Sequence, residues 1–138
     1  VNVLGPFLLS KELGRMMVDQ QQGKIINIGS IDAIVGAPGL VHYCSSKGAV
    51  VQFTRALAAE WAKFGITVNC LSPGYFPTDI NRERLNEGPI RDKILGRIPM
   101  RRFGEVPEIV SWVVFLAGEG SDYLTGQVIT VDGGESAR

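Results

Sequence analysis

The sequence predicts an α/β fold, a parallel sheet with helices on both faces. Short β-branched runs alternate with long helical segments, and the connections between runs are far too long for hairpins. Strands joined this way cross over and run parallel. No repeat, linker or low-complexity tract divides the chain, so residues 1–138 read as part of one domain.

Val3 to Gln22 carries Leu4, Phe7, Leu8, Met16 and Met17 among Lys11, Glu12 and Arg15, a helical distribution that Gly23 is expected to end. Lys24-Ile25-Ile26-Asn27-Ile28 is a buried-strand run, followed by a loop from Gly29 to Val41. A long helix is expected from His42 to Phe64, with Ala49, Phe53, Leu57 and Trp61 as its core stripe. Thr67 to Ser72 forms the second strand, stopped by Pro73-Gly74. Two short helical pieces broken at Gly88-Pro89 precede a helix from Pro107 to about Gly118. Gln127 to Val131 is the last strand, closed by Asp132-Gly133-Gly134. Ligands of open parallel sheets lie beyond the carboxyl ends of the strands, which directs attention to the loops after Ile28, Ser72 and Val131.

Composition narrows the function. The chain has 138 residues, 45% of them hydrophobic, enough for a core without disulfide or metal. Fourteen basic residues balance fourteen acidic ones, which removes the footprint of a nucleic-acid binder or a membrane-surface protein. Cys44 and Cys70 lack CxxC spacing and read as reduced thiols of a cytoplasmic protein. No apolar run exceeds Ile109 to Gly118, too short for a membrane span, and the start lacks the basic residues of a signal peptide. The chain opens at Val1 without Met, inside a helical segment, as expected of part of a longer protein.

Chemistry concentrates at the start of the long helix. Tyr43 and Lys47 are four apart, which puts them on one face about a turn from each other. An ammonium about 5 Å from a phenol, at an effective dielectric of about 20, favours phenolate by roughly 3 kcal/mol. Such a tyrosine exchanges protons with a substrate hydroxyl near neutral pH. Ser30, on the loop after the first strand, can donate to the same substrate oxygen. Alone, this spacing also occurs where a tyrosine ring merely covers a lysine stem. Its weight comes from Ser30 upstream and from Pro73-Gly74 with Thr78 downstream.

These stretches resemble the short-chain dehydrogenase/reductase family: Lys24 to Ser30, Tyr43 to Lys47, Val68 to Gly74 through Thr78, Arg102-Phe103-Gly104-Glu105, and Tyr123-Leu124-Thr125-Gly126 leading to Val131-Asp132-Gly133-Gly134. The resemblance implies a Rossmann-like, doubly wound sheet and NAD or NADP as cofactor. It implies that Tyr43 is the general acid/base, that Lys47 supports it and holds the nicotinamide ribose, and that Ser30 binds the reacting oxygen. Asn2 matches the family's helix asparagine, which helps hold a relay water, or is an ordinary N-cap. Pro73, Gly74 and Thr78 look like the loop that meets the nicotinamide. The family's glycine-rich pyrophosphate turn has no counterpart here, so the chain corresponds to a little over half of a member, its catalytic and substrate-facing part.

Around that centre, Tyr75 and Phe76 are expected to wall the substrate pocket, and Asp32 either lines it or serves a turn. His42 reads as a polar helix-start residue, Cys44 as packed away from Tyr43, and no metal cluster is expected. Arg82, Arg84, Arg91 and Arg97 could pair with an acidic substrate, though solvated helix faces are the plainer expectation. The pattern looks most like the family's sugar-acid dehydrogenases, with 3-oxoacyl carrier-protein reductases sharing much of it. The expectation is therefore a small-molecule oxidoreductase that forms a homodimer or tetramer. The rival is a noncatalytic fragment that keeps only oligomer-forming surfaces on the long helix, Ile109 to Leu116 and the terminal strand.

Overall fold

The computed structural model describes residues 1–79 and 81–137, except the side chain of Arg84. Helix α1 (Leu4–Gln20) leads into β1 (Gly23–Ile28), α2 (Val41–Trp61) and β2 (Ile66–Pro73). Helices α3 (Arg82–Asn86), α4 (Pro89–Arg97) and α5 (Val106–Ala117) then precede β3 (Val128–Val131). The sheet order is β1-β2-β3 with both pairings parallel. Ile28 sits opposite Leu71 and Pro73 opposite Val131, so the three strands finish at one end of the sheet.

The central strand is the core. Ile66, Val68, Asn69, Cys70, Leu71 and Ser72 are each at most 1% exposed. Ile66 and Val68 pack beneath Leu57 and Ala58 of α2, with Met17 and Val18 of α1 alongside. Lys24, pointing the other way from Ile25, reaches Ser121 Oγ at 3.1 Å and Asp122 Oδ1 at 2.6 Å, in the turn that follows α5. Helices therefore cover both faces, as the alternation predicted. The connection into β3 is locked by buried Asn69, whose amide donates to Leu124 O at 2.7 Å and accepts from Gln127 N at 3.1 Å.

Four local expectations are corrected. Gly23 does not end α1; Gln21 takes the left-handed conformation (φ 53°), and Gly23 opens β1 flush against Met17. The buried face of α2 is Val50, Val51, Thr54, Leu57 and Ala58, not the expected stripe, of which only Leu57 is fully buried. Phe53 and Trp61 instead meet α1, where Phe7 lies 5.9 Å from Phe53 between ring centroids and Gly14 leaves room for the Trp61 indole. Helix α5 begins at Val106 with Pro107 second. The loop after β1 contains a 3-10 turn, Ile31–Ala33, whose Ala33 packs on Val50, Val51 and Cys70.

Among the described residues no helix is long and apolar enough to cross a membrane, and no cluster of metal-ligating side chains occurs. Apolar surface remains on α1 (Leu4, Leu9), on α5 (Val114, Phe115) and at Ile28 on the edge strand β1.

Gly29 lies so close to β2 that a Cβ there would meet Cys70 Sγ at 2.7 Å and the Ser72 hydroxyl closer still. Gly29→Ala should therefore cost about 1–3 kcal/mol in denaturant unfolding. Glu108 is held by Arg102 at 2.8 and 2.7 Å, and that pairing, with the Glu105 backbone N–H, lowers its pKa from the usual 4.5 to about 2. A depressed carboxylate contributes stability above its unfolded pKa and loses it as pH falls through the folded one. Glu108→Gln should lower the thermal midpoint slightly at neutral pH and flatten its fall between pH 4.5 and about 2, so that variant and parent converge at the acid end.

Candidate active site

The parallel register puts the loops after all three strands at one end of the sheet, and the first turns of α2 stand beside it. Lys47 donates to Ile28 O, the last carbonyl of β1, at 2.8 Å, and its Nζ lies 5.8 Å from the Tyr43 ring centroid. Tyr43 and Lys47 thus share a face, as their spacing required. Burial pushes the Lys47 ammonium below the ordinary lysine value of 10.5, with nearby Cys70 opposing. Cys70 is itself buried, which pushes its thiol up against a contact to Ser72 Oγ at 3.6 Å, so it offers no nucleophile.

Asn2 is brought to this corner by the packing of α1 on α2. Its amide donates to Ser46 Oγ at 3.2 Å, and Ser46 donates to Tyr43 O at 2.8 Å. The N-cap alternative does not hold: the cap is Val3, with no side-chain bond. A groove of about 580 Å³ runs beside β1, with Asn2, Ile28 and Lys47 in its lining.

Ser30 is buried and caps the 3-10 turn, its Oγ accepting from Asp32 N at 3.1 Å and lying 3.4 Å from Asp32 Oδ2. The turn role of Asp32 is therefore real, and the side chain remains half-buried. Burial raises its pKa, opposed by Ser30 and by the charge of Arg97.

The loop after β2 is set by close packing. Gly74 N donates to Val131 O at 2.9 Å, and a Cβ at Gly74 would strike Asp132 at 2.8 Å. Pro73 ends the strand just before it. Thr78 is tied locally, its hydroxyl and N–H both donating to Asn81 Oδ1, while Asn81 donates to Phe76 O. Tyr75 and Phe76 line a cavity of about 330 Å³ together with Phe103, Gly104 and the Asp132 turn, and Ser30, Tyr43 and Lys47 are not in its lining.

The arginines divide. Arg82 pairs with Asp79 and Arg91 with Asp92 on exposed surface, as solvated helix faces should, and the Arg84 side chain lies outside the described residues. Arg97 departs from that expectation. Its Nη2 donates to Tyr75 OH at 2.8 Å and its Nε lies 3.2 Å from Glu135 Oε1. The Glu135 side chain is only 5% exposed, and nothing in its sequence position marked it. Burial pushes the Tyr75 phenol up, with Arg97 pulling the other way. His42 is exposed at the start of α2, and Cys44 is half-buried rather than packed away.

Known proteins share this fold. A family model described as Enoyl-(Acyl carrier protein) reductase matches residues 1–136. A gluconate 5-dehydrogenase of Gluconobacter oxydans (strain 621H) is 36% identical over 133 residues, covering 96% of this chain and 52% of that protein. A 3-oxoacyl-[acyl-carrier-protein] reductase of Synechocystis sp. is 40% identical over 135 residues, covering 97% and 53%. The crystal structure of a gluconate 5-dehydrogenase from Burkholderia cenocepacia J2315 in complex with NADP and tartrate superposes with a TM-score of 0.96 at 38% identity, over 100% of this chain and 54% of that one. The chain thus spans about half the length of the curated relatives it matches. Because the family match runs through residues 1–136, the chain belongs to the short-chain dehydrogenase/reductase family.

Proposed function

We propose that this chain is the catalytic and substrate-facing part of an NAD(P)-dependent oxidoreductase acting between a secondary alcohol and its ketone. The observation that carries it is the Tyr43–Lys47 pair anchored to the end of β1 through Ile28 O. The family uses NAD or NADP, and solved relatives are described with NADP bound. The donor set fits the nicotinamide-ribose end of such a cofactor. Lys47 spends one N–H on Ile28 O and has three to give, beside a groove open along β1. Lys47 and Tyr43 would hold the ribose, and Pro73, Gly74 and Thr78 the nicotinamide. When bound, the cofactor supplies or accepts the hydride.

The chain's own residues handle the proton and the orientation. The Tyr43 hydroxyl passes a proton to or from the substrate oxygen. Ser30 donates a hydrogen bond to that oxygen and fixes it against the loop, with Asp32 N–H holding the serine in place. Lys47 keeps a positive charge one helical turn from the phenol. Asn2 steadies the turn that carries Tyr43, through Ser46. Tyr75 and Phe76 exclude water from the substrate side. Sugar acids and 3-oxoacyl compounds are the substrate classes supported by the named relatives. The apolar surfaces of α1 and α5 support assembly into a homodimer or tetramer; they are also what favours the second reading, a noncatalytic scaffold.

In the full-length protein, Tyr43→Phe should lower kcat by about 10²–10⁴-fold with an unchanged thermal midpoint. Near-normal turnover by that variant would overturn the assignment of the proton to Tyr43, whereas no turnover by the unsubstituted full-length protein would favour the scaffold. Since Lys47 loses its proton below the ordinary 10.5, the alkaline limb of the kcat/KM profile should fall in that lower range. Lys47→Arg, which keeps its charge, should shift that limb upward in any enzyme it leaves active.

A further inference from the structure

A cavity of about 430 Å³ opens between the loop ahead of α2 and helix α4, with Pro38, Leu40, Tyr75, Lys93, Ile94 and Arg97 in its lining. Its two charged lining residues are both cations, and they stand four apart on one face of α4. The nearby carboxylates, Asp32 and Glu135, are not among the lining residues.

Arg97 is not a loose surface cation. Glu135, almost fully buried, takes its Nε side, and Tyr75 OH accepts from Nη2, so the guanidinium plane is fixed from behind. More than a third of the side chain stays exposed. A guanidinium already oriented loses little conformational entropy on binding an anion, and its fork matches a carboxylate. Pro38 and Leu40, in the cavity lining, belong to the segment that joins the turn capped by Ser30 to the start of α2, which carries Tyr43.

We propose that this cavity seats the carboxylate of a sugar-acid substrate, with Arg97 as the specificity-determining residue and Lys93 as its exposed second cation. The proposal rests on the oxidoreductase reading and adds to it the choice of a sugar acid over a 3-oxoacyl compound and the residues that seat its acid group. Glu135 and Tyr75 act as positioning residues.

Equilibrium binding to the full-length protein tests it, with D-gluconate and D-glucitol as probes, since glucitol carries a hydroxymethyl group where gluconate has its carboxylate. Arg97→Gln should weaken gluconate about ten- to hundredfold, the loss of one charge-assisted hydrogen-bonded contact, and change glucitol less than about twofold. That variant leaves Glu135 buried beside a neutral group and could misfold. Arg97→Gln with Glu135→Gln removes both charges and should show the same selective loss. Equal losses for both probes, or gluconate binding unchanged in either variant, would overturn the proposal. So would inorganic phosphate displacing gluconate at equal affinity, which would point to a phosphate seat. These ratios are equilibrium quantities, so they hold or fail independently of whether Tyr43 carries the proton.

Discussion

Everything in this chain hangs on β2. Six of its side chains are almost completely shielded, and both neighbouring strands bond to its edges. A strand buried on both faces has to be covered by helices on both, which is why α1 and α2 lie on one side and the turn after α5 on the other. Parallel pairing then makes all three strands end together. The site follows from that register, because the loops after Ile28, Pro73 and Val131 have nowhere else to go.

Two close approaches convert the shared end into a shaped site. Gly29 lies against Cys70 and Ser72, and Gly74 against Asp132, so backbone meets backbone or short side chains with no room for a Cβ. These contacts bring the Ser30 loop and the Tyr75 loop down onto the sheet. Lys47 adds the third tie, bonding the first turns of α2 to the end of β1. A lysine in that position is partly desolvated and held on the same helical face as Tyr43, which suits a charge meant to act on a neighbour and not on water.

The region around Arg97 is organised by a different logic. Glu135, from the last turn of the chain, reaches back to Arg97 on α4, and Tyr75 from the loop after β2 completes the contact. The Asp132 carboxylate accepts from Gly134 N and Ser136 N and shapes the turn that delivers Glu135. A buried carboxylate of this kind is costly unless paired, so Arg97 is as much needed by Glu135 as positioned by it.

The amino-acid sequence by itself determined the alternation of elements, the parallel sheet and the pairing of Tyr43 with Lys47, because each depends on local periodicity: two for strands, 3.6 for helices. The loop after the first strand singled out Ser30, and the resemblance to the family, carried by motifs in the sequence, singled out Pro73, Gly74 and Asn2. Tertiary structure alone decided which face of α2 is buried, since Phe53 and Trp61 have a partner only once α1 packs beside them. It alone separated Arg97 from the other arginines, because Glu135 is 38 residues away and is brought close only by the closing of β3 against β2. Contacts within a turn or two are written in the spacing of residues; contacts between a helix and a distant tail exist only after the sheet has set where both must lie.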